Sequence, residues 1–136
     1  PYALPALMIG VVAFLLAKGD TQALLDSTLL WLGINAICAA LCVLIVGGHP
    51  ISILVAAIAS PITSLNPTLA AGWFAGYAQM KVREPTGEDL AEFLKLDSAG
   101  LFWSNRAGRV LLVTALTNLG SMLGAYISVA LIASGL

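Results

Sequence analysis

The chain has 136 residues, 60% of them hydrophobic and 10% charged, with a formal net charge of −1 and a mean hydropathy of +0.97. Soluble domains carry about 25% charged residues, so the composition argues against a water-soluble globule, and the near-zero net charge leaves no basic field for nucleic acid. The expectation is a single-domain, all-α polytopic membrane protein over residues 1–136, with three membrane-spanning helices, a broken or re-entrant pair of half-helices and a short amphipathic surface helix.

The first apolar segment is Tyr2 to Ala17, with Pro5 in its first turns where a missing N–H does least harm. At about sixteen residues it falls short of the ~20 needed to span a bilayer. The chain also starts at Pro1 with no basic flank, so it reads as a membrane domain cut from a longer protein whose soluble part precedes residue 1. Lys18 to Gln22 is a polar turn. Ala23 to Val46 follows, about 24 residues and ~36 Å as a helix, long enough to span with tilt. Trp31 is placed as an interfacial anchor and Asn35 as the source of an interhelical hydrogen bond. Cys38 and Cys42 read as small hydrophobes on one helix face, because a metal site needs about four ligands and no other Cys or His lies nearby. No metal and no cofactor are expected.

Gly47-Gly48 ends this helix, since glycine accepts the left-handed conformation of a C-cap. His49-Pro50 opens a half-helix, with His49 as a cap and Pro50 at the first helical position, running to Ser60. Pro61 to Pro67 is the break. Asn66 and Pro67 are placed as N-cap and first residue of a second half-helix reaching Met80, in which Thr68, Gly72 and Gly76 form a small-residue stripe. Unpaired backbone groups at such a break cost several kcal/mol each in hydrocarbon unless protein or water satisfies them. Ser60, Thr63, Ser64, Asn66 and the later Asn118 are therefore the candidates for lining a polar pocket, with a peptide end, an ion or water as occupant. A kink capped by its own side chains is the competing reading.

Lys81 to Arg109 is hydrophilic and holds five of the six Lys and Arg residues, which places it on the cytoplasmic side. Thr86 and Asp89 make a capping-box pattern ahead of Leu90, Phe93 and Leu94, the apolar face of a short surface helix. Phe102 and Trp103 belong to an interfacial belt, and Arg106 and Arg109 read as topology anchors. Val110 to Ile132 is the last span. Its Gly120, Gly124 and Ser128 form a packing row whose expected partners are the half-helix carrying Gly72 and Gly76, or the same helix in a homodimer. Two topologies fit the charge pattern: a re-entrant dip with His49 and Lys81 on one side, or a discontinuous helix that crosses. The short proline-bracketed break favours the dip.

Deep in the apolar runs there is no carboxylate, no Gly-Asp pair and no Ser–His pair, and no glycine-rich phosphate loop occurs. Catalysis by this segment is not expected.

His49-Pro-Ile-Ser-Ile-Leu54, Ser60-Pro-Ile-Thr-Ser-Leu-Asn-Pro67 with Ala70-Ala-Gly-Trp73, Phe102-Trp-Ser-Asn-Arg106, Arg109-Val-Leu-Leu-Val113 and Leu116-Thr-Asn-Leu-Gly120 resemble the carboxy-terminal membrane region of the TraB/PrgY family, the pheromone-shutdown proteins related to the Tiki metalloproteases. The resemblance covers most of the chain from about Leu24. It implies a prokaryotic membrane module joined in cis to a soluble protease-like domain that carries the family's Gly-x-x-His and Glu motifs. Those motifs are missing here, so no catalytic residue carries over. The expected role is to anchor and assemble such a protein; the alternative is a small ion or solute channel that uses the half-helix ends.

Overall fold

The computed structural model describes residues 3–66, 68–95 and 97–134. Among them every regular element is a helix: α1 (Ala3–Lys18), α2 (Thr21–Ile45), α3 (Pro50–Thr63), α4 (Ala71–Val82), α5 (Gly87–Lys95), α6 (Leu101–Ser104) and α7 (Arg106–Ser134). Two of them, α2 and α7, are long and apolar enough to cross a membrane. The third expected span, α1, has 16 residues, about 24 Å, short of the roughly 30 Å of a hydrocarbon core.

Local chemistry explains the boundaries. Gly19 turns α1 into α2 at φ +69°, and Asp20 caps α2 by accepting from the Ala23 N–H at 3.0 Å. At the other end of α2 the Gly47 and Gly48 N–H groups reach the Leu44 and Val43 carbonyls, each at 2.9 Å. With Gly47 at φ +66°, this is a Schellman motif. His49 caps α3 as expected, its Nδ1 accepting from the Ile51 N–H at 3.3 Å, with Pro50 at the first helical position. Thr86 and Asp89 form the expected box: the Thr86 N–H and hydroxyl donate to Asp89 at 2.8 and 2.9 Å, and the Asp89 N–H donates to Thr86 Oγ1 at 3.2 Å. Leu90 and Leu94 of α5 stay exposed, while Phe93 packs edge-on against Phe102 with centroids 5.1 Å apart.

The break differs from the sequence expectation. Pro61 does not end the half-helix; α3 continues through it to Thr63. So close to the C-terminus its missing N–H leaves only the Ala57 carbonyl without its usual helical partner, and the helix resumes with the Ser64 N–H on the Ser60 carbonyl at 3.0 Å. Nor does α4 begin at Asn66. It begins at Ala71, with Ala70 at the cap position and no side chain of its own capping it. Asn66 instead closes a local turn, Oδ1 accepting from the Thr68 N–H and hydroxyl at 3.0 and 2.7 Å; Asx-turns of this kind compete with helix initiation. Thr68 therefore lies outside the small-residue stripe of α4, and Pro67 lies outside the described residues.

α2 and α7 run antiparallel and form the central pair. They meet at Gly120, where a Cβ would fall 2.7 Å from the Cys38 carbonyl oxygen and 2.8 Å from Ala39 Cα, and at Gly124, where it would fall 2.8 Å from Asn35 Cα. The Gly120/Gly124 row thus serves α2, not the Gly72/Gly76 helix or a second copy. α4 lies on a different face of α7: a Cβ on Gly72 would overlap the Thr114 carbonyl oxygen, and one on Gly76 would overlap the Thr114 hydroxyl. The last helix thus packs on α2 through its own glycines and receives the glycines of α4 on another face.

α3 and α4 pack against each other and are antiparallel. The start of α3 meets the end of α4 through Gln79, and residues 64–70 join their other ends. The apolar core of Ala39, Val43, Val46, Ala56, Ala75 and Val113 lies where this hairpin rests on α2 and α7, with Ile53, Leu112 and Leu116 packed against it.

Candidate functional site

The buried side chains are small or polar. Asn35, Ser52, Ser60, Thr117 and Ser128 are fully inaccessible, Gln79 is 1% exposed, and the buried apolar residues are mostly Ala and Val. Leu29, Ile45, Ile58 and Ile62 point outward at 65%, 79%, 59% and 64% exposure. Several of the interior polar groups satisfy helix ends from a neighbouring helix.

Four such ends are visible. The N-terminus of α3 is completed by Gln79 of α4, whose Oε1 accepts from the His49 N–H at 2.8 Å and the Ser52 hydroxyl at 2.9 Å. In a capping box a glutamine at the third helical position does this within one helix; that position here is Ser52, and the glutamine comes from elsewhere. The N-terminus of α4 is completed by Asn118 of α7, whose Oδ1 accepts from the Gly72 N–H at 2.7 Å. The C-terminus of α2 is completed by Arg109 of α7. Its Nη1 donates to the Val46 and Gly47 carbonyls at 2.8 and 2.9 Å, and its Nη2 donates to the Trp103 carbonyl. A cation at the negative end of a helix dipole is also favoured electrostatically. The C-terminal turn of α3 receives Trp31 Nε1 on the Pro61 carbonyl at 3.2 Å and the Ser121 hydroxyl on the Ser60 carbonyl at 3.5 Å.

This geometry redistributes the expected pocket residues. Trp31 is 3% exposed, so it is a capping donor inside the bundle and not an interfacial anchor. Asn118 is a surrogate cap. Thr63 turns its hydroxyl onto the Ala59 carbonyl at 2.9 Å, and Ser64 turns its own onto Pro61 at 3.2 Å. Asn66 is held by its local turn and exposed. The clefts beside the break are apolar: one of about 310 Å³ is lined by Val11, Leu24, Trp31, Pro61, Ile62 and Leu65 among others, and one of about 310 Å³ by Val55, Ile58, Ile62, Leu69 and Phe74 with Ala59 and Thr63. Ser60, Thr63, Ser64, Asn66 and Asn118 therefore do not converge on one polar cavity. Asn35 makes the expected interhelical bond, Nδ2 to Ser128 Oγ at 3.4 Å and to the Trp31 carbonyl at 3.0 Å. Asn35 Oδ1 and Ser60 Oγ are buried without a partner.

A second polar concentration lies at the end of the bundle that carries His49, Gln79 and Arg109. Asn105 caps α7, accepting from the Ala107 and Gly108 N–H groups at 2.8 and 3.3 Å. Its Nδ2 ties α5 down through the Asp89 carbonyl at 2.8 Å and Glu92 at 2.9 Å. Arg106 reaches the Glu84 carbonyl at 3.4 Å and Asp89 at 4.0 Å. Hydrogen bonding from the Thr86 N–H, aided by the Thr86 hydroxyl and Arg106, holds the Asp89 carboxyl below its usual range. Among the described residues no three His, Cys, Asp or Glu side chains gather into a possible metal site.

Sequence reasoning missed Gln79, reading it as part of an apolar run, and left Asn105 without a role. Both had signals. Gln79 falls on the Gly72/Gly76 face at helical spacing, and Asn105 is a favoured N-cap residue just before the last helix.

A family model described as the C-terminal domain of TraB family proteins matches residues 1–136. An uncharacterized protein of Methanocaldococcus jannaschii is 33% identical over 129 residues, which cover 92% of this chain and 32% of that protein. The chain thus spans about a third of this relative's length. No solved structure matches.

Proposed function

Since the chain belongs to the TraB family, as its C-terminal domain, we propose that it is the membrane module of a longer protein, anchoring it through α2 and α7. In this reading the α3–α4 hairpin dips into the bilayer and returns to the side of entry. The observation that carries the proposal is the inverted packing: small and polar residues inside, large aliphatic residues outside on every long helix. In water such a surface is a liability, whereas in lipid it is the solvated face.

The hairpin's dimensions support a dip. α3 has 14 residues and α4 has 12, about 21 and 18 Å, each too short to cross roughly 30 Å of hydrocarbon. Lys81, Arg83, Lys95, Arg106 and Arg109 gather on the side where the hairpin enters; in this reading, by the positive-inside bias, that side is the cytoplasm of a prokaryotic cell. The soluble TraB-type domain joined in cis, with any protease-like chemistry, belongs to the part of the protein beyond this chain. A second copy, as a homodimer, has to use a face other than Gly120/Gly124, which α2 fills.

The channel reading needs polar groups presented at the hairpin tip. Thr63 and Ser64 spend theirs on nearby carbonyls, so anchoring and assembly stand first. The test is thiol accessibility in sealed vesicles. With Cys38 and Cys42 replaced, single cysteines at His49 and Glu84 should react from the same side, and one at Ser64 should be protected. Labelling of His49 and Glu84 from opposite sides overturns the dip; free labelling of the exposed faces of α2 and α7 overturns the membrane reading.

A further inference from the structure

Beside the Arg109 clamp lies a small open crevice of about 40 Å³ lined by Gln79, Arg83, Trp103, Asn105, Arg106 and Arg109 among others. That is room for about two or three waters. Three arginines therefore line one opening. They are not equally engaged. Arg109 has its two terminal nitrogens on backbone carbonyls, while its buried Nε has no partner. Arg83 is exposed and, among the described residues, makes no ion pair or side-chain hydrogen bond. Arg106 is 4.0 Å from Asp89, with its side chain 56% exposed. The nearby carboxylates are already held, Asp89 by Thr86 and Glu92 by Asn105. The crevice lining itself holds three arginines and no carboxylate, a planar donor set suited to a tetrahedral oxyanion.

We propose that this crevice binds the phosphate of an anionic lipid headgroup. The assignment of lipid over free phosphate rests on the membrane reading above and on the rim. Trp103 lines the crevice and is 51% exposed. An acyl chain therefore finds an indole face beside the arginines. Basic pockets at the cytoplasmic ends of helices are suited to phosphate headgroups on electrostatic grounds. The consequence is positional: a bound lipid bridges the end of α4 to the start of α7 and fixes the depth of the hairpin's entry.

The experiment uses the purified chain in neutral detergent, with retained lipid counted by native mass spectrometry during titration with phosphatidylglycerol, phosphatidylcholine or inorganic phosphate. Phosphatidylglycerol should be retained in preference to phosphatidylcholine. Arg83→Gln and Arg106→Gln should each weaken that preference about fivefold, the value of one basic residue near an anionic surface. Arg83→Lys should keep most of it, and Lys18→Gln, in the last turn of α1, should leave it unchanged. An undiminished preference in the Arg83→Gln/Arg106→Gln double variant overturns the site. Inorganic phosphate bound as tightly as phosphatidylglycerol overturns the lipid assignment. A chain that stays dispersed without detergent sinks the membrane reading itself, and a chain that needs detergent but shows no lipid preference sinks only the site.

Discussion

Replacing Gln79 with leucine removes one acceptor and strands two donors, the His49 N–H at 2.8 Å and the Ser52 hydroxyl at 2.9 Å. Two magnitudes compete. Orphaning a buried donor costs about 1–3 kcal/mol in soluble proteins, whereas hydrogen bonds between membrane helices average about 0.6 kcal/mol with a maximum near 1.7, because the unfolded chain in lipid also finds partners. The Ser52 hydroxyl can rotate onto the carbonyl one turn back, so its loss is small. The His49 N–H has no such escape, since it precedes the first helical turn. Gln79→Leu should therefore cost about 1–2 kcal/mol, above the membrane average. Reversible unfolding in mixed micelles of rising sodium dodecyl sulfate measures it. Ser52→Ala alone should cost under about 1 kcal/mol, and the pair should cost less than the sum. Hydrogen exchange at the His49 amide should rise in Gln79→Leu but not in Ser52→Ala. A Gln79→Leu protein within about 0.5 kcal/mol of the parent would show that α3 does not depend on a cap borrowed from α4.

Three further outcomes follow from the same contacts. Gly76→Ala should destabilise by about 1–3 kcal/mol because its Cβ overlaps the Thr114 hydroxyl, and adding Thr114→Ala should restore most of the loss; micellar unfolding of the double variant checks this. Arg109→Gln should cost about 1.5–3 kcal/mol through loss of charged hydrogen bonds to Val46 and Gly47, with faster amide exchange confined to the end of α2 and to residues 101–104. The Asp89 carboxyl has a lower pKa folded than unfolded, so its contribution to α5 is complete above the ordinary carboxylate range and is lost as pH falls through the depressed value. Amide protection in α5, measured against the intrinsic exchange rate at each pH, should fall on acidification, and Asp89→Asn should flatten that dependence.

The long helices and their caps were legible because the signals are local. Gly47, His49-Pro50 and the Thr86–Asp89 box each act within a few residues, and each is where the pattern placed it. The destinations of the polar side chains were not legible. Asn118 was assigned to a ligand and reaches the Gly72 N–H, 46 positions away in sequence. Trp31 was assigned to the bilayer surface and reaches Pro61, 30 positions away. A single sequence says that a helix end is unsatisfied; it does not say which distant side chain arrives. The start of α4 was misplaced for a related reason: Asn66 looks like a cap in isolation, yet its side chain closes a local turn, and a residue of another helix supplies the cap.

The Arg109 clamp sits at one extremity of the molecule, with Gln79 and Asn105 beside it, and the opposite tip of the hairpin is flanked by oily clefts. Cohesion is therefore graded along the long axis. The rim that carries α5 and α6 is densely stapled by directional bonds, while the opposite tip has only the single bonds from Trp31, Ser121 and Asn118 between its apolar clefts. A force applied to residues 84–105 would pull on α2, α4 and α7 together, since their ends are cross-tied there. The rim would move as one plate, and the tip would be the part left free to lag behind.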